Sequence, residues 1–210
     1  MKSVMISIKP KWCELIANGK KTIEIRKTKP KIETPFKCYI YCTKDKIDTS
    51  PKTIWWKANS SGFRYIMNGK VIGEFVCDEI RNCTLSNLLV KEDAEKLLYG
   101  SCLSSDEISE YLGYKKGTSM FDFKYYCFYG WHISELKIYD DPKELCEFSA
   151  IDNHAVKKCQ NRIEIYYKLF DLEFIKSDYY CARNNDRCIE CKHKMISKPP
   201  TSWCYVDELR

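Results

Sequence analysis

Long apolar runs are missing from this chain: nothing in its 210 residues approaches the roughly 20 consecutive apolar side chains that a membrane span requires. The amino terminus has no apolar signal core, so the sequence predicts neither a secretory leader nor a transmembrane helix. A Walker-type phosphate loop, a dinucleotide-binding glycine fingerprint and a zinc-protease histidine pair are also missing, and only three histidines occur at all. These gaps argue against nucleoside triphosphatase, dehydrogenase and metalloprotease chemistry, each of which needs its own local pattern to hold phosphate or metal.

Cysteine, by contrast, is plentiful, with thirteen residues. The number is odd and no signal core precedes them, so a secreted disulfide framework is not expected. Mostly free, buried thiols in a reducing cytoplasm are. With 44% apolar and 30% charged residues, the composition is that of an ordinary globular protein, long enough for one core or for one domain with an elaborate extension. The formal net charge of +6 conceals a polarity along the chain. Residues 1–70 carry 16 Lys and Arg against 5 Asp and Glu, residues 71–150 carry 8 against 15, and the remainder 11 against 9. A basic first third is the footprint expected of a polyanion-binding surface. The alternative is that it packs beside the acidic middle and the charges neutralise each other.

The densest local signal is Gly19-Lys20-Lys21-Thr22-Ile23-Glu24-Ile25-Arg26. From Lys21 onward, charged or polar residues alternate with Ile23 and Ile25, the period-two pattern of a half-buried strand. Glu24 and Arg26 then share one face, the isoleucines anchor the other, and Gly19 supplies the turn by which a preceding helix ends. The segment is read as an anion-facing site; a solvated edge strand in which Glu24 and Arg26 merely pair is the simpler option.

With Ser7-Ile8-Lys9-Pro10 and the amphipathic stretch through Trp12, Leu15 and Ile16, this segment resembles the amino-terminal signature of the ASCH domain, within the PUA-like superfamily. The family's Gly-x-Lys-x-x-x-x-Arg pattern falls on Gly19, Lys21 and Arg26. Lys70-Val71-Ile72-Gly73-Glu74-Phe75-Val76-Cys77 is similar to a later strand that carries a family glutamate, here Glu74, and Tyr129–Ile133 with Leu136–Tyr139 is similar to the closing strand. The resemblance covers roughly residues 1–145 and implies an α+β fold: a small PUA-like β-barrel with flanking helices and a site for RNA or a modified nucleotide. Some members are amidohydrolases that deacetylate 4-acetylcytidine with a lysine, a threonine and a glutamate. Here Lys21 and Glu74 match the lysine and glutamate, and Glu24 stands at the threonine position.

A carboxylate cannot replace a hydroxyl nucleophile directly. In a hydrolase, Glu24 would activate water, Lys21 would hold the oxyanion and Glu74 would shuttle protons. In a binding protein, Glu24 and Glu74 would accept from a base edge while Lys21 and Arg26 engage phosphate. Binding without catalysis is the leading expectation. A third option is a protein-interaction module working through its acidic helices.

Elsewhere the pattern predicts a first strand over Met1–Lys9, a helix from Pro10 to about Asn18, and a strand over Phe36–Thr43. Between them lies a basic loop whose Lys27, Lys29 and Lys31 either track phosphates or are simply solvated. Residues 44–69 form a polar insertion in which Trp56 and Arg64 are candidates for base stacking over a basic groove, packing of Trp55 or Trp56 against the barrel being the commoner use of such residues. Thr84–Tyr114 is helical, with Ser86 and Ser104 as caps. Phe121–Tyr139 is extended and bends at Gly130, His132 is a hydrogen-bonded core residue, and Asp140–Lys143 ends the strand.

Residues 146–210 are expected to form a cysteine-rich extension packed on the barrel, helical around Ala155–Phe170. Cys188-x-x-Cys191, completed by Cys181 and by Cys204 or His193, has the spacing of a structural zinc site that would staple the tail; free thiols, or an iron–sulfur cluster, are the alternatives. Pro199 and Pro200 force an extended segment, and Trp203 and Tyr205 beyond them suggest that the tail docks back.

Overall fold

Val4, Ile6 and Ile8 alternate with Met5 and Ser7, and all five are buried, so the first strand is covered on both faces and must lie inside a sheet. The computed structural model describes residues 2–44, 53–58, 62–89, 91–114, 126–150, 162–168, 175–181, 186–187, 194–196 and 198–208. In chain order its elements are β1 (Lys2–Ile8), α1 (Pro10–Ala17), β2 (Ile23–Arg26), β3 (Phe36–Cys42), β4 (Thr53–Ala58), β5 (Gly62–Met67), β6 (Val71–Cys77) and β7 (Ile80–Thr84). There follow α2 (Lys91–Ser101), α3 (Ser105–Leu112), β8 (Cys127–His132), β9 (Ser134–Lys143), β10 (Ser149–Ala150), β11 (Arg162–Lys168), β12 (Ile175–Cys181), β13 (Asp186–Arg187), β14 (Lys194–Met195) and β15 (Trp203–Asp207). None of the described helices is long and apolar enough to cross a membrane.

The fold is α+β. A seven-stranded sheet runs β14-β10-β15-β1-β3-β6-β9, with β1 and β3 parallel, and a smaller sheet runs β2-β8-β7. Between them lies a core that includes Ile6, Cys13, Phe36, Cys38, Ile40, Phe75 and Trp131. The outer face of the large sheet carries a second cluster around Met5, Tyr39, Phe148 and Val206. Behind the small sheet, Ile23, Ile25 and Phe128 pack with Leu97 of α2 and Ile108 of α3.

The expected barrel does not close. Its closing strand breaks at Ile133: the first half, β8, pairs with β2 and β7, while the second half, β9, pairs with β6 in the other sheet. One strand divided between two sheets joins them along a single corner and, among the described residues, leaves the large sheet open at β14 and β9. The bend expected at Gly130 is therefore displaced to Ile133. Gly130 has a different task, since a Cβ there would meet Ile23 Cγ2 at 3.1 Å and Leu97 Cδ1 at 3.2 Å, so its bare backbone lets the sheet and α2 approach.

Local signals hold where they are strong. Gly19, at φ 67°, ends α1 by donating to Ile16 O (2.8 Å) and turns the chain into β2. Ser104 and Glu107 form a reciprocal capping box at the start of α3. Two expectations are corrected. Residues 44–69 contain the β4–β5 hairpin, and the stretch expected to be helical around 155–170 contains strand β11, where Ile163 and Ile165 alternate with polar residues and pair with β12. The tail also differs in rank from an appendage. Its strand β15 is inserted between β10 and β1, inside the large sheet.

Candidate functional site

Period two places Glu24 and Arg26 on one face of β2, and that face is turned inward, toward the core between the two sheets. Lys21, just before the strand, joins them. The three charged residues are 2%, 7% and 8% exposed for Lys21, Glu24 and Arg26 respectively, so they form a buried cluster rather than a solvated edge. Glu24 is its centre: Oε2 lies 3.3 Å from Lys21 Nζ and Oε1 lies 3.0 Å from Arg26 Nη2.

Backbone carbonyls complete the cluster. Lys21 Nζ donates to the carbonyl of Ser101 at 2.6 Å. Ser101 is the last residue of α2, where the helix's unpaired carbonyls and the negative end of its dipole favour an ammonium. Arg26 Nη2 donates to the carbonyl of Ser7 in β1 at 2.7 Å. Ser7 is in turn held by the tail, its N–H donating to Ser202 O at 2.9 Å and its hydroxyl to Pro200 O at 2.6 Å. On this face two buried donors, Arg26 Nε and Trp131 Nε1, have no partner among the described residues. Trp131 is directly opposite Glu24 across the β2–β8 pair, so both side chains occupy the same face.

Two aromatic rings border the cluster. Trp12 of α1 lies beside Lys21, with Nζ 5.2 Å from the ring centroid, and Lys11 Nζ stands 4.4 Å from the same ring. Tyr111 of α3 lies beside Arg26 and Lys27, near enough for its hydroxyl to feel the Arg26 charge. Burial pushes the Tyr111 hydroxyl up, and the Arg26 charge opposes that shift. Tyr111 is 40% exposed, and Lys27 Nζ stands 5.1 Å from its ring. A rim ion pair, Lys11 to Glu107 at 4.0 Å, links α1 to α3.

The lysines of the basic loop are exposed, and the loop itself is held by neighbours. Lys29 lies 5.4 Å from the Tyr129 ring and 3.4 Å from Asn82 Oδ1, Trp203 Nε1 donates to Thr28 Oγ1 at 3.0 Å, and the Lys31 N–H donates to the Tyr205 hydroxyl at 2.6 Å. The tail thus docks against the loop as well as inside the sheet.

Glu74 is not part of this cluster. Phe75 and Cys77 enter the inter-sheet core, so alternation along β6 turns Glu74 to the opposite face of the large sheet. There it accepts from the Tyr139 hydroxyl at 2.6 Å and lies 3.7 Å from Lys37 Nζ. The expected union of Lys21, Glu24 and Glu74 in one site is corrected accordingly. Trp56 and Arg64 are register partners across the β4–β5 hairpin, and β4 runs beside α1; their side chains lie outside what is described. Of the candidate zinc ligands, Cys181 ends β12 and Cys204 is buried in β15, whereas Cys188, Cys191 and His193 fall outside the described residues. Among the described residues no group of three metal-ligating side chains occurs, and Cys13, Cys38, Cys42, Cys77, Cys102 and Cys146 are not in disulfides.

His132 is hydrogen-bonded, as expected, but it is at the surface, with Nδ1 2.7 Å from Asp78 Oδ1. That bond, first among the causes, holds the Asp78 carboxyl below its ordinary 3.8. Because the folded-state value is depressed, the pair's contribution is present above pH 3.8 and is lost as pH falls through the folded value. Both side chains are nearly half exposed, so Asp78→Asn is expected to cost only ~0.5 kcal/mol near neutral pH and progressively less once the pH is below the ordinary 3.8, at about pH 3. Urea midpoints at the two pH values check this; an equal loss at both would mean that the carboxylate charge is not the cause.

Sequence reasoning missed Ser7, Ser101, Trp12, Tyr111 and Trp131 as parts of the site. Tyr111 sits at an apolar helical spacing and Trp12 on the amphipathic face of α1, so each carried only a packing signal.

A sequence profile of the ASCH domain matches residues 6–129. Among solved structures, the crystal structure of ASCH from Zymomonas mobilis is 19% identical, with 68% of this chain and 73% of that chain covered and a TM-score of 0.43. A point mutant of the same Zymomonas mobilis protein is 20% identical, with 69% and 77% covered and a TM-score of 0.42. No curated protein matches.

Proposed function

Because the chain belongs to the ASCH domain family, we propose that it binds RNA or a modified nucleotide at the Lys21–Glu24–Arg26 cluster, without catalysing a reaction there. The observation that carries this reading is the pairing of a buried charged cluster with aromatic rings at its border. Trp12 beside Lys21 and Tyr111 beside Arg26 supply faces on which a base stacks. The exposed Lys27 and Lys29, each set against a ring, supply cations for phosphate at the rim. The hydrolytic alternative needs a proton shuttle near Lys21, and Glu74 belongs to the other face of the sheet.

The test is a fluorescence titration of the full chain with mononucleotides and short single-stranded RNA at several salt concentrations. RNA affinity is expected to fall with salt, and Lys27→Ala is expected to shallow the log–log slope by about 0.7. Tyr111→Ala is expected to weaken binding roughly 5- to 100-fold, the loss of one stacked base. Affinity that ignores both salt and Tyr111 would overturn the reading. Turnover of 4-acetylcytidine that disappears in Lys21→Ala would replace binding by hydrolysis.

A further inference from the structure

We infer that the buried cluster receives a terminal phosphate monoester, so that the ligand is a nucleoside monophosphate or an RNA end bearing a terminal phosphate, and not an internal stretch of chain. This deepens, and rests on, the proposal that the site binds nucleotides.

Charge is the first argument. Lys21 and Arg26 are two cations held by a single carboxylate, Glu24, so the interior carries a formal excess of one positive charge. Glu107 faces Lys21 from the rim, but it is half exposed and shared with Lys11. The neighbouring thiols do not make up the difference, since burial pushes Cys13 and Cys38 well up and keeps them neutral. An uncompensated charge in a water-poor interior is costly, and an anionic ligand group removes that cost.

Hydrogen-bond accounting is the second. Arg26 Nε and Trp131 Nε1 are both buried donors without partners among the described residues, and both belong to the face of the β2–β8 pair that carries Glu24. Buried donors are normally satisfied, and two of them on one face, beside excess positive charge, call for an acceptor that is also an anion. A neutral base edge meets the donors and leaves the charge; a phosphate monoester, with three non-bridging oxygens and at least one negative charge, meets both.

Access is the third. With Lys21, Glu24 and Arg26 at most 8% exposed, a group that approaches Arg26 Nε has to enter end-on, which hinders a phosphodiester carrying nucleotides on both sides more than a chain end. Its base then remains at the border, where Trp12 and Tyr111 stand.

The experiment is calorimetry on the full chain at fixed salt with a nucleoside, its 5′- and 3′-monophosphates, the methyl ester of the 5′-monophosphate, inorganic phosphate, and a short RNA with and without a terminal phosphate. A monophosphate, or the RNA with a phosphorylated end, is expected to bind roughly 10- to 100-fold tighter than its unphosphorylated or esterified counterpart. Trp131→Phe, which keeps the ring and deletes one donor, is expected to weaken the monophosphate several-fold and leave the nucleoside unchanged. Arg26→Lys, with its fold checked by circular dichroism, is expected to do the same. Equal binding of nucleoside, ester and monophosphate, or equal binding of both RNAs, overturns the terminal-phosphate site and leaves nucleotide binding standing. Inorganic phosphate bound without any nucleotide supports the oxyanion site and overturns nucleotide binding. Silence from every ligand overturns both.

Discussion

Glu24→Gln is expected to lower the stability of this protein by about 3–5 kcal/mol, the cost of leaving buried charges without their partner. Glu24 is the only side-chain anion on both Lys21 and Arg26 among the described residues, and an amide in its place leaves two cations facing each other in the interior. Against a typical total of roughly 5–15 kcal/mol, that is a large fraction, visible as a clear drop in the urea midpoint. Glu74→Gln is the informative contrast. Glu74 keeps its Tyr139 and Lys37 partners on the partly solvated outer face, so its loss is expected to cost only about 1–2 kcal/mol. If the two glutamates turned out equally costly, or Glu74 the costlier, Glu24 would not be the electrostatic centre of the fold.

Ending the chain after Ser197 is expected to abolish folding. The deletion removes β15, which pairs with β1 from Lys2↔Asp207 to Ile6↔Trp203 and with β10 at Ala150↔Val206. It withdraws buried Cys204, Tyr205 and Val206 and half-buried Trp203 from two cores. At about 1.5–3 kcal/mol for each large apolar side chain, the loss approaches the stability of the whole domain. The Ser202 and Pro200 carbonyls that hold Ser7 go as well, and with them the support of the Arg26 carbonyl partner. β1 becomes an unpaired apolar edge, which invites aggregation. A truncated chain that stays soluble and unfolds cooperatively would show β15 to be dispensable. Trp203→Ala, which spares the strand, is expected to fold.

The contrast between these two regions shows where sequence reasoning reaches. The strand at Ile23–Arg26, the shared face of Glu24 and Arg26, the turn at Gly19 and the cap at Ser104 all follow from periods and φ preferences confined to a few neighbouring residues. The β4–β5 hairpin and β11 were not visible in the same way. The first is masked by polar residues, and the second has apolar positions that fit a helix as well as a strand until its pairing with β12 is known.

The amino-acid sequence by itself determined that Glu24 and Arg26 act together, because side chains two apart on a strand must share a face; that Lys21, three residues before Glu24, joins them was decided by the fold. Family membership was legible in the same short motif. Only the tertiary structure decided that this face points into the molecule, that Ser101 and Ser7 receive its cations, and that Glu74 is turned away by the burial of Phe75. It alone made the distant tail an inner strand beside β1. The physical reason is that alternation specifies which residues go together, whereas which side is buried depends on the sheet that packs against them, and the strands of that sheet pair residues as distant in the chain as Lys2 and Asp207.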